Sequence, residues 1–209
     1  MKKKSLAMAL MLLFVCLTTA RAQVLKVESG VAFAKASYNK AFHPFYIAAG
    51  VDYLDRGWFN LSSAVGVSRH GYKNDLVIGD ADGNLIPANN IRSGTYLTLT
   101  TLFDVKKTTV DGFTLYAGVG PRLDIKAGDG VSDVDSQTEE MLREAEPFTP
   151  VLFGLRCEVG VKKRFNNIEV GVVGSYQPTF THLVKNNSLF KERSFTLGIT
   201  LGYALANDN

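Results

Sequence analysis

Large apolar residues recur at every second position along most of this chain, a period that only a β-strand with one apolar face satisfies. The last segment shows it most clearly: Phe195, Leu197, Ile199, Leu201, Tyr203 and Leu205 alternate with Ser194, Thr196, Gly198, Thr200, Gly202 and Ala204. Val151, Phe153, Leu155, Cys157, Val159 and Val161 alternate in the same way with Leu152, Gly154, Arg156, Glu158, Gly160 and Lys162. Between 113 and 126, Phe113, Leu115, Ala117, Val119, Pro121, Leu123 and Ile125 face one way, and Thr114, Tyr116, Gly118, Gly120, Arg122, Asp124 and Lys126 face the other.

Eight segments carry this pattern, at about 24–37, 44–54, 58–72, 93–107, 113–127, 150–165, 168–180 and 193–205. Most exceed the roughly 5–6 residues usual for soluble strands and match the roughly 9–11 needed to cross a bilayer at a tilt. The connections alternate in length. Asp55-Arg56-Gly57, Thr108 to Gly112 and Asn166-Asn167 are tight turns, and longer loops are expected near 38–43, 74–92, 128–149 and 181–192. Short turns at one end and long loops at the other predict an all-β fold, an eight-stranded antiparallel up-and-down transmembrane β-barrel.

A soluble sandwich or lipocalin-like barrel also alternates. Two features weigh against it. The polar face is rich in Gly, Ala, Ser and Thr rather than Lys and Glu, as a narrow bore that must be filled tightly requires. Every segment also has its own apolar row, more than one soluble core of this size uses, whereas a closed barrel in lipid satisfies every backbone polar group.

The first 22 residues read as an address. Lys2 to Lys4 form a positive start, Leu6 to Leu17 an apolar run too short to span a bilayer, and Ala20-Arg21-Ala22 a site for cleavage before Gln23. Val15 before Cys16 argues against lipid attachment there. The division expected is a signal peptide at 1–22 and a barrel domain at 23–209, with no further domain after residue 205. The formal charge of +3 resides in this leader: without Lys2, Lys3, Lys4 and Arg21, nineteen bases face twenty acids, which leaves no footprint for nucleic acid. Cys157 alone remains, so no intramolecular disulfide is expected.

Parity sends Glu28, Asp52, Asp104, Arg122, Asp124, Arg156, Glu158, Lys162 and Glu169 into the bore, where charges pair or stay hydrated. An Arg–Glu bridge joining Arg122 to Glu158 across the neighbouring fifth and sixth strands is expected. Lys35 and Arg69 point outward near the long-loop end, where basic side chains snorkel to lipid phosphates. Asp80, Asp82 and Asn84 have the spacing that opens a calcium loop, but the later Gly and Glu are absent, and a hairpin tip accounts for Asp82-Gly83. No metal or cofactor is expected. Acids cluster at 128–149, with Ser136 and Glu139 placed to cap a short helix at 138–145; this segment is solvated or meets an extracellular partner. His43, His70 and His182 are expected at or beyond the long-loop rim, with no His-x-Ser element beside an acid.

With these residues placed, the chain resembles the small eight-stranded outer-membrane barrels of the OmpA/OmpX type, and within them the single-domain porin-like proteins of Bacteroidetes-type Gram-negative bacteria. The carriers are the Ala22/Gln23 junction, the eight strands and the Gly-rich segments Leu115 to Arg122 and Leu197 to Tyr203. In one departure, Tyr203 is followed by Ala204 to Asn209, where proteobacterial members end on an aromatic residue. The resemblance implies a monomer in the outer membrane, in contact with outer-membrane lipid and lipopolysaccharide, with an extracellular partner reached through the long loops. The expected role is structural or adhesive, without catalysis and with a plugged lumen. The alternatives are a narrow porin, a lipid-modifying hydrolase and a soluble binding barrel.

Overall fold

The computed structural model describes residues 24–36, 41–79, 85–132, 148–185 and 191–205. Eight strands follow one another: β1 (Val24–Ala36), β2 (Phe45–Arg56), β3 (Phe59–Gly79), β4 (Leu85–Thr108), β5 (Phe113–Ser132), β6 (Val151–Phe165), β7 (Ile168–Pro178) and β8 (Glu192–Ala204). Each pairs antiparallel with the next, and β8 returns to β1 from Val24↔Ala204 to Ala36↔Glu192, which closes the barrel. Closure leaves the sheet without an edge strand.

At one end the connections are tight. Gly112 takes φ 77° in the β4–β5 turn, and Asn166 takes φ 53° in the β6–β7 turn, a region Asn tolerates better than most side chains. The other end differs from the expected long loop at 74–92. There β3 continues to Gly79 and β4 begins at Leu85, paired through Gly79↔Leu85, while β5 runs on to Ser132 opposite Ile91. Beyond the barrel these strands pair only with one another, so they need no apolar row, and alternation could not reveal them. The ribbon leaves the barrel at a bulge: Thr95 pairs with Gly128 and Tyr96 with Lys126, so Ala127 is the extra residue. By contrast β2 begins well below the end of β3. Its pairing with β3 stops at Ile47↔Val67, and with β1 at Val31↔Phe45.

The outer wall is apolar over the full height of the strands. Val159, Leu197 and Ile199 remain 63%, 60% and 68% exposed, and Leu25, Val27, Val119, Val170 and Leu201 join them. A contiguous wall of this kind belongs in lipid. Aromatic groups rim both ends. At the turn end Phe59 stacks on Phe103 with Trp58 packed at an angle to both, and Lys163 lies over the rings of Phe113 and Phe165. At the loop end stand Phe33, Phe45, Phe153, Phe180 and the Tyr176–Phe195 pair.

The filled bore as candidate functional site

All nine charged residues assigned to the bore by parity point into it. They are joined there by others, and the contents fall into layers.

Nearest the turns, Asp52 takes ion pairs from Lys26 (2.8 Å) and Lys162 (3.4 Å), and Lys162 also meets Glu169 (2.8 Å). Arg164 binds Glu169 from the rim, and Asn60 donates to Asp104 (3.0 Å). Outside this layer a vestibule of about 380 Å³ opens at the turn end, between Lys106, Thr114, Lys162 and Glu169.

Above it sits Arg156. Its Nε donates to Glu158 (2.6 Å), two residues along the same strand, and its Nη2 crosses the bore to Glu28 on β1 (2.5 Å). The Tyr46 hydroxyl donates to the same Glu28 carboxylate (2.6 Å). This corrects the expected Arg122–Glu158 bridge. The register sets Arg122 opposite Gly154 and Glu158 opposite Gly118, four residues apart along the strands, and each arginine takes the acid two positions along on its own strand.

Large inward groups fit because the neighbouring strand offers glycine. A Cβ on Gly160 would lie 2.5 Å from the Tyr116 ring, and one on Gly118 would collide with the Asp104 carboxylate.

A third layer lies toward the loops. Arg122 donates to Asp124 (2.9 Å) and Gln177 (2.7 Å), and Thr98 donates to Asp124 (2.7 Å). His70 sits inside this layer, almost fully buried, not at the rim as expected. Its Nδ1 meets Glu192 (2.7 Å), and its Nε2 meets Ser68 Oγ (3.0 Å) and lies 3.5 Å from Asp124. The other Glu192 oxygen accepts from the Gly71 backbone N–H (3.2 Å), on the stretch of β3 that has run past the end of β2. Glu192 thus ties β8 to the part of β3 that extends beyond β2.

Ser68, His70 and Glu192 have the connectivity of nucleophile, base and orienting acid. Two features argue against that chemistry. Nε2 is shared with Asp124, and Ser68 is also hydrogen-bonded to Thr98 (2.6 Å). The adjoining chamber, between the second and third layers, is about 30 Å³, room for a water or two but not for an ester.

The top layer is apolar. Tyr72, Tyr96 and Leu152 point in from the strands, and Phe148, Leu183 and Val184 fold down over them from the connecting segments. Tyr96 donates to the Thr149 carbonyl (3.0 Å), Thr149 donates to the His182 carbonyl (2.6 Å), and the Arg92 guanidinium lies 5.4 Å from the Phe148 ring centre.

Lys35 and Arg69 point outward and are exposed. Cys157 also faces outward as a free thiol. The segment at 1–22, Asp80, Asp82 and Asn84, and the acidic segment with Ser136 and Glu139 lie outside the described residues. Among the described residues, no group of three or more His, Cys, Asp or Glu side chains is placed to hold a metal ion.

The sequence reading left out Lys26, Tyr46, Arg92, Gln177 and Glu192, and set His70 at the rim. Lys26, Tyr46 and His70 shared the inward parity of their strands and were open to the same argument as Glu28. Arg92 and Glu192 fell in expected loops.

No protein-family model and no curated protein matches the sequence. Solved structures do match. Neisserial surface protein A is similar over 87% of this chain and 96% of its own, at 15% identity and a TM-score of 0.53. OprG, an outer membrane protein of Pseudomonas aeruginosa, aligns over 88% and 98% at 13% identity with a TM-score of 0.44. Ail, the attachment invasion locus protein of Yersinia pestis solved with the heparin analogue sucrose octasulfate, aligns over 87% and 99% at 11% and 0.44. In fold, the chain is a small eight-stranded barrel of the outer-membrane type.

Proposed function

We propose that this chain is an outer-membrane protein of a Gram-negative bacterium, working as a structural or adhesive element through its wall and its loop end rather than through its bore. In this reading residues 1–22 are removed on export, the tight turns lie in the periplasm, the extended β3–β5 end faces outward, and the barrel is monomeric. Lys35 and Arg69 contact outer-leaflet lipopolysaccharide. No catalytic role is assigned.

The observation that supports a plugged bore is its layering. Ion pairs at the turn end, the Arg156 bridge, the Arg122–Asp124–His70–Glu192 network and the apolar cap succeed one another along the axis. An eight-stranded barrel has an interior that side chains alone can fill.

Planar-bilayer recording tests this on refolded protein, once a mobility difference between unheated and heated samples in gel electrophoresis shows a closed barrel. The expected result is little or no conductance. Stable, large conductance steps would overturn the plugged reading in favour of a narrow porin.

A further inference from the structure

At the loop end of the β1–β8 seam, Lys35 lies directly opposite Arg193. Both point outward and are exposed. Side chains directly opposite on antiparallel strands have Cβ atoms only about 4.5–5.5 Å apart, and like charges so placed repel. No described residue compensates them. Glu192, next to Arg193 in sequence, turns inward to His70 and Gly71. The flanking segments 36–41 and 185–191 add Lys40, Lys185 and Lys191 and contain no acid. A like-charged pair with no counter-ion among the described residues is suited to an anion from outside.

The depth of the pair in the wall identifies that anion. Two residues toward the barrel middle, Phe33 lies opposite Phe195, both outward and half exposed. Tyr176 packs 4.9 Å from Phe195, and His43 packs edge-on to Phe33 at 5.1 Å. Amphipathic and aromatic rings grouped in this way mark the boundary between acyl chains and headgroups. Two residues of strand cover about 7 Å, less after tilt, which brings the cations to the depth of lipid phosphates. A guanidinium offers paired donors to phosphate oxygens, and an ammonium offers a mobile point charge.

We infer that Lys35 and Arg193 together bind one phosphate group of an outer-leaflet lipid. The inference rests on the proposed outer-leaflet placement of the loop end, and it changes the partner of Lys35. Arg69 stands on β3, with β2 between it and β1, so it cannot share the phosphate that Arg193 reaches.

The test uses folded full-length protein in phosphatidylcholine nanodiscs doped with bis-phosphorylated lipid A or with its dephosphorylated form. Bound glycolipid is counted by native mass spectrometry, and the unheated gel mobility of every variant is matched to the parent. The parent should retain the phosphorylated form over the dephosphorylated one by roughly ten- to thirtyfold, the preference two cations near an anionic surface supply. K35A/R193A should lose that preference, and K35R/R193K should keep it. Equal retention of both lipids by the parent, or unchanged preference in K35A/R193A, overturns the inference. Loss in R69A with no loss in K35A/R193A overturns the pair but upholds the broader lipid contact, whereas no loss in either overturns both. If millimolar inorganic phosphate displaces the lipid completely, the site belongs to free phosphate and the lipid assignment falls.

Discussion

The two halves of the bore are filled by different means. Toward the turns, the plug is built from strand residues that already face inward, and every partner of Asp52 or Arg156 is one of them. Toward the loops, strand residues supply only part of the filling. Phe148, Leu183 and Val184 come from connecting segments, and Glu192 starts β8 at the point where the chain re-enters the wall. The first half is therefore as rigid as the barrel that holds it. The second depends on segments that can open without unzipping a strand, and it is the half on which a surface partner or a change in the loops can act.

That contrast predicts a gradient of mutational cost. The largest effect should come from Arg156→Ala. It leaves the buried carboxylates Glu28 and Glu158 without their shared cation, and breaking a buried pair by removing one partner costs roughly 3–5 kcal/mol. The urea midpoint for barrel unfolding in a fixed lipid mixture measures it, with the slope checked for constancy. A loss below about 1 kcal/mol would mean that water reaches this layer and that the turn-end half is not dry.

Next comes Glu192→Ala, in the loop-end half. It removes the acceptor of His70 Nδ1 and of the Gly71 N–H, and a buried hydrogen bond to a charged group is worth roughly 1.5–3 kcal/mol. Its distinguishing signature is local. Amide exchange should rise at Gly71, on the part of β3 that has passed β2, and stay unchanged at Val159 in the wall. A uniform rise would show that the loop-end half opens only with the whole barrel, and the contrast between the halves would be lost.

The same contrast explains what the sequence disclosed. Period-2 parity names a face wherever a strand is regular, so the eight strands, the apolar wall and the inward set from Glu28 to Glu169 were legible. Parity says nothing about register. The height of one strand against the next decides that Arg156 reaches Glu28 across the bore while Arg122 takes Asp124. It also fails where strands leave the barrel. Arg92 lies among the Asn, Pro and Gly residues of an apparent loop, yet the β3–β4 ribbon carries it on as strand. His70 was misplaced because β3 was taken to end just beyond it. Once β3 continues to Gly79, the ring falls inside the bore, and its partner Glu192 lies 122 residues away in the chain.

The smallest effect is predicted for Asp104→Asn, and it sharpens the comparison from within the turn-end half. Asp52 and Asp104 both face inward and are almost fully buried, but they are bound differently. Asp52 is held by Lys26 and Lys162, so Asp52→Asn takes the ion-pair partner from Lys26 while Lys162 keeps Glu169, and should cost roughly 1–3 kcal/mol. Asp104 accepts from the neutral side chains of Asn60 and Ser62. An asparagine there keeps the carbonyl acceptor for Asn60 and removes a buried charge whose desolvation is poorly offset. Asp104→Asn should therefore leave the urea midpoint within about 0.5 kcal/mol of the parent, or raise it slightly. Equal losses for the two variants would show that Asp104 is neutralised by a cation at longer range, and that the turn-end charges act as one network rather than as separate pairs.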